Sequence, residues 1–147
     1  MIGLTLLRLR LPGVALAAYV MFASPAFAET ISFKADLKAS EEVPPNDSKA
    51  TGTVTATYDT ASKKLTWKGN YSGLTGPATM AHFHGPAEPG KNAGVAVPIT
   101  PSASPFENSA NLTDAQAADL LAGRWYVNVH TGAHPGGEIR GQLVKGM

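Results

Sequence analysis

The chain holds four histidines, in two short segments. His82 and His84 lie in Met80-Ala81-His82-Phe83-His84-Gly85. His130 closes Tyr126-Val127-Asn128-Val129-His130, and His134 follows four residues later in a Gly/Pro turn. In an extended strand, side chains at i and i+2 stand on one face, about 6.5–7 Å apart along the chain. Two imidazoles so spaced can reach one ion through metal–nitrogen bonds of about 2.0–2.1 Å. The expectation is that the fold brings the two segments together around a transition metal held by His82, His84, His130 and His134. Imidazole-rich sites suit copper and zinc, and the order of affinities puts copper first and zinc second. Met80 shares a face with His82 and offers a soft thioether, although a methionine beside an aromatic strand is more often packing. Glu138 is a candidate to orient an imidazole from behind.

Other chemistries find little support. With no cysteine, thiolate zinc sites, iron–sulfur clusters and cysteine-ligated copper are excluded. There is no Gly-x-Ser-x-Gly elbow, no His-Glu-x-x-His helix and no glycine pattern leading from a strand into a helix. Glu41 and Glu42 lack a partner motif for glycosidase-type acid–base work and read as a solvated loop. Twelve Lys+Arg stand against eleven Asp+Glu without basic runs, which disfavours nucleic acid and anionic lipid as partners.

The first 28 residues read as a secretory signal peptide. Arg8 and Arg10 precede an apolar stretch from Leu11 to Phe22, and Ala26-Phe27-Ala28 makes a small-x-small cleavage site. The apolar run is too short for a stable spanning helix. The expectation is a periplasmic or secreted protein with no membrane association after cleavage. Residues 29–147 suffice for a single domain with one modest core.

The elements that must position the histidines are strands. Residues 31–38 alternate apolar and polar, the period of a half-buried strand. Residues 51–58 and 65–71 read as a hairpin with Val54, Ala56, Tyr58, Leu65, Trp67 and Tyr71 inward. In 79–84, Met80, His82 and His84 oppose Ala81 and Phe83, so a core-facing Phe83 turns the histidines outward or into a cleft. A short edge strand over 95–99 ends near Pro98. Thr113-Asp114-Ala115-Gln116 is a capping-box pattern and opens a helix over 113–122, with Gly123 placed to end it. Residues 124–131 and 138–144 close the count, with His130 opposite the Trp125/Val127/Val129 face and Ile139 and Leu143 inward. About seven strands and one short helix predict an all-β, antiparallel Greek-key sandwich or barrel.

Taken together, His82-Phe83-His84-Gly85-Pro86-Ala87, Tyr126-Val127-Asn128-Val129-His130-Thr131 and Pro135-Gly136-Gly137-Glu138-Ile139-Arg140-Gly141-Gln142-Leu143 resemble the CHRD (chordin) domain. Glu41-Glu42-Val43-Pro44-Pro45 and Gly52 fit the same pattern, and the similarity spans roughly 31–145. It implies an extracytoplasmic all-β domain over 29–147 and no particular activity. A second, local similarity is to the copper site of copper/zinc superoxide dismutase, where a His-x-His strand and a late-strand histidine hold copper. His82, His84 and His130 would take those roles. A bridging histidine, the zinc-loop ligands and the disulfide have no counterpart, so only the copper half carries over.

Three functions follow as expectations. The first is metal sequestration, delivery or sensing without turnover. The second is a metal-free extracellular module that binds a protein partner, and the third is a copper-dependent dismutase-like oxidoreductase.

Overall fold

The computed structural model describes residues 27–146. The signal-peptide expectation for residues 1–28 therefore falls almost wholly outside the described residues. Nine strand segments, a 3₁₀ turn (Ala39–Glu41) and one α-helix follow in order: β1 (Thr30–Lys38), β2 (Thr51–Asp59), β3 (Lys64–Ser72), β4 (Ala78–His84), β5 (Val95–Pro98), β6 (Phe106–Asn111), α1 (Asp114–Leu121), β7 (Tyr126–Thr131), β8 (Ile139–Gln142) and β9 (Val144–Lys145).

The sheet runs β5-β4-β7-β8-β1-β2-β3-β6, with β9 on β1. It is a nearly closed, eight-strand antiparallel barrel. β9 continues β8 along β1, because Lys38 faces Arg140 while Lys34 faces Val144 in the same register. The two free edges, β5 and β6, face each other across the remaining gap. Asn108 Nδ2 on β6 donates to Thr100 O just beyond β5, at 2.7 Å.

Alternation decides which side chains enter the barrel. Phe33, Ala35 and Leu37 of β1 are buried between exposed neighbours, and Val54, Ala56, Tyr58, Leu65 and Trp67 do the same in the β2–β3 hairpin. Phe83 sits at the centre of an aromatic run. It meets Trp67 edge-on at 5.1 Å and Trp125 at 5.8 Å between ring centroids. The helix starts as the capping pattern requires. Thr113 Oγ1 accepts from Gln116 N, and the Gln116 side chain accepts from Thr113 N. It ends at Gly123, whose φ of +75° suits a residue without Cβ. Ala117 and Leu120 are its buried residues and join the core.

β6 lies outside the strands that alternation predicts. Only Phe106 among its residues is buried, so no apolar alternation marks it, and it is a strand because it pairs with β3 from Phe106 to Asn111. β7 departs in the other direction, since all six of its residues are buried. Its outward side chains are covered by two loops, residues 42–48 and 85–94, which form a polar layer over β4, β7 and β8. Asn92 Nδ2 donates to Val43 O at 3.0 Å and joins one loop to the other.

Candidate metal centre

The two histidine segments become neighbours because β4 and β7 pair antiparallel. His84 lies opposite Tyr126, His82 opposite Asn128 and Met80 opposite His130. Ala81, Phe83, Val127 and Val129 fill the core, so parity turns the other six side chains outward, where the covering loops bury His84, Tyr126, Asn128 and His130 and leave Met80 exposed. His82 and His130 are then diagonal neighbours, a separation that long side chains bridge.

Three imidazoles converge there. His82, His84 and His130 each offer a ring nitrogen, and those atoms lie within 4.8 Å of one another. His82 Nδ1 is 3.2 Å from His130 Nε2. Two nitrogens at tetrahedral angles on one ion, with bonds of 2.0–2.1 Å, lie about 3.3–3.4 Å apart, so this pair already has nearly that spacing. His84 and His130 are buried and His82 is half-buried, leaving His82 on the solvent side.

Backbone carbonyls select the tautomers. His130 Nδ1 is 2.9 Å from Pro135 O, and a carbonyl can only accept, so Nδ1 carries the proton and Nε2 the lone pair. His84 Nδ1 faces Ala93 O at 3.0 Å, and its Nε2 faces Asn128 Oδ1 at 2.9 Å. A neutral ring can donate to only one of these acceptors. With Nδ1–H on Ala93 O, the arrangement His130 has on Pro135 O, the nitrogen left for an ion is Nε2, and the Asn128 amide must turn or yield. Metal-bound histidines commonly hold their second nitrogen in this way. Burial, then the neighbouring rings of His130 and His84, lowers the pKa of His82; burial also lowers that of His84, against the contacts with Ala93 and Asn128. Both effects keep these rings neutral, the state a metal requires.

His134 stands outside this group. The turn after β7 is held by its backbone: His134 N donates to Thr131 O at 3.1 Å, and Gly137 N donates to His134 O at 3.0 Å. What the turn presents to the cluster is the carbonyl of Pro135. Glu138 also differs from expectation. It is 0 % exposed, and its carboxylate bonds to hydroxyls and a backbone N–H rather than to an imidazole. One oxygen accepts from Ser48 Oγ (2.6 Å) and Thr75 N (2.9 Å), the other from Thr75 Oγ1 (2.8 Å) and Thr131 Oγ1 (2.7 Å). Burial pushes this carboxyl up, but the bonds from Ser48, Thr131 and Thr75 outweigh it and hold the pKa at about 2. Glu138 thus fixes Thr131, the residue after His130, and ties two loops to the barrel.

Around the histidines lies a second group of buried polar residues. The His84 ring stacks on Tyr126, nearly parallel at 4.8 Å, and the Arg140 guanidinium carbon sits 3.5 Å from the centroid of the same Tyr126 ring. Arg140 also donates to Asn92 Oδ1 (2.9 Å) and Lys91 O (2.6 Å), clasping the covering loop. Glu42, expected in a solvated loop, is only 5 % exposed. It lies beside Asn128 Nδ2 above Gly137, where a Cβ would collide with its carboxylate. Asn128 and the charge of Arg140 stabilise the ionised form somewhat, but no donor reaches Oε1 in hydrogen-bond geometry. Burial dominates and raises its pKa to about 7. Tyr126 and Asn128 could have been placed beside the histidines from their parity with His130. Nothing in Glu41-Glu42-Val43-Pro44-Pro45 distinguishes the buried glutamate from the exposed one.

The CHRD domain profile matches residues 33–143. The chain belongs to the CHRD domain family. Searches of curated proteins and of solved structures find no match. The histidine cluster of this CHRD domain is therefore read from its own geometry. Among the described residues, no helix is long and apolar enough to cross a membrane.

Proposed function

We propose that this CHRD protein is exported, periplasmic or secreted, and binds one transition-metal ion through His82, His84 and His130, copper first and zinc second, for sequestration, delivery or sensing. The observation that carries the reading is the pairing of His82 Nδ1 and His130 Nε2 at 3.2 Å, with His84 close by and the Nδ1 atoms of His84 and His130 both against backbone carbonyls. Three close imidazoles, two of them buried and two with Nδ1 held on backbone carbonyls, make a group suited to ligation. Imidazole nitrogens suit both ions, and the general affinity order puts copper ahead of zinc.

Titrating the protein with Cu(II) and with Zn(II), while following nitrogen hyperfine splitting for copper and heat for zinc, tests this. One equivalent should bind tighter than micromolar, and His82→Ala with His84→Ala together should abolish it. Absence of stoichiometric binding, or binding indifferent to that double change, overturns the proposal.

A metal-free interaction module is the second reading. It is favoured by β5, an edge strand of the barrel with Val95 53 % exposed, since an unpaired edge can accept a strand from a partner. A partner captured equally well by the double histidine variant would support it.

A further inference from the structure

Met80 is an exposed apolar side chain beside a polar cluster. It is 47 % exposed and takes no part in the hydrophobic core. In the β4–β7 ladder it stands directly across from His130, two residues before His82 and on the same face. Directly opposed residues of an antiparallel pair have Cβ atoms about 4.5–5.5 Å apart. Met80 Sδ, two bonds beyond Cβ on a freely rotating chain, can therefore reach the space into which His130 Nε2 and His82 Nδ1 point. The ladder shifts register between Ala78 and Met80, and such bulges re-aim the side chain that follows them. His84 and His130 are buried and His82 half-buried, so Met80 is the most open of the four side chains.

We infer that Met80 is the fourth ligand of the ion held by His82, His84 and His130, and that its thioether biases the site toward a soft monovalent ion, Cu(I), over Zn(II). The inference rests on the metal reading above and adds to it the donor that discriminates between ions. Thioether sulfur favours Cu(I), whereas zinc sites are built from imidazole, thiolate and carboxylate. A flexible, solvent-reachable thioether also gives the ion a donor that can let go first, as delivery to another protein requires.

The test uses the full chain carrying ¹³C-methyl methionine, its Met80→Leu variant, and Ag(I) as a redox-stable stand-in for Cu(I). One equivalent of Ag(I) should shift the Met80 methyl resonance, identified by its loss in the variant. Competition with a colorimetric Cu(I) chelator should show Met80→Leu losing about tenfold or more in Cu(I) affinity, while Zn(II) affinity stays within about twofold. An unmoved methyl resonance, or equal Cu(I) affinity in both proteins, overturns the role of Met80 and leaves the three-histidine site standing. Failure of the wild-type chain to bind any of the three ions overturns both. If the leucine variant does not fold, the methyl shift in the wild-type chain decides the matter, with Met80 told from the other methionines by Met80→Gln.

Discussion

His82 Nδ1 lies 3.2 Å from His130 Nε2, although 48 positions separate the two residues in the chain. With Nδ1 of His130 committed to Pro135 O, the metal-free pair shares one proton, which His82 donates. For His82 to offer Nδ1 to an ion, that proton would have to move to Nε2.

Replacing His130 by Ala should weaken Cu(II) or Zn(II) binding by about 100-fold or more, because a direct ligand is lost. His134→Ala should stay within about twofold, since its turn meets the cluster through a backbone carbonyl. Isothermal titration of the two variants checks this. Equal losses would bring His134 into the site.

Metal affinity should hold to lower pH than ordinary imidazoles allow. The pKa values of His82 and His84 are lowered from 6.5, so protons displace the ion only below that value. The same shifts affect the metal-free fold. Between the lowered pKa values and 6.5 the unfolded chain binds more protons, so these two groups make stability fall as pH drops below 6.5. Chelator competition across pH 5–8 measures the first effect, and urea unfolding of the metal-free chain measures the second.

Glu42 works in the opposite sense. Its pKa rises from 4.5 to about 7 on folding, so the folded state binds more protons than the unfolded one over that interval. Its contribution to stability is full below pH 4.5 and is lost as pH rises through about 7. Glu42→Gln should flatten this limb and, at pH 8, stabilise the domain by up to about 2–3 kcal/mol. Urea midpoints at pH 5 and pH 8 for both proteins decide it; an unchanged difference between them would contradict the assignment.

Glu138→Gln should destabilise the domain by about 2–3 kcal/mol, because four donors, that of Thr131 buried, lose a charged acceptor. In the native chain its folded pKa of about 2 lies below the ordinary 4.5. Its contribution is therefore complete above pH 4.5 and disappears as pH falls toward 2. Acid unfolding followed by circular dichroism should show that limb, and the glutamine variant should lack it.

Much of the barrel was legible because its strands bury one face. Alternation located β1, the β2–β3 hairpin, β4 and β7, and the Thr113–Gln116 pattern located the helix start. The parity of Phe83 against His82 and His84, and of Val129 against His130, also placed three imidazoles on the outer face. β6 escaped because an edge strand with a single buried residue carries no periodicity. The covering loops escaped for another reason. Burial of Glu42, and of the His84 ring against Ala93, depends on chain segments that fold back over the sheet, and no local pattern records such a return. Glu138 is a candidate partner of an imidazole by its nearness to His130 in the chain, which says nothing of Ser48 and Thr75, the residues that claim its oxygens.

The β4–β7 ladder sets the site and joins β4 and β5 to the rest of the barrel with the same hydrogen bonds. A slip of one residue along it would swing the imidazoles into the greasy interior and leave Phe83 and Val129 in water. A chain that mispairs here would therefore lose both the meeting of the three imidazoles and the buried face of the sheet in a single error.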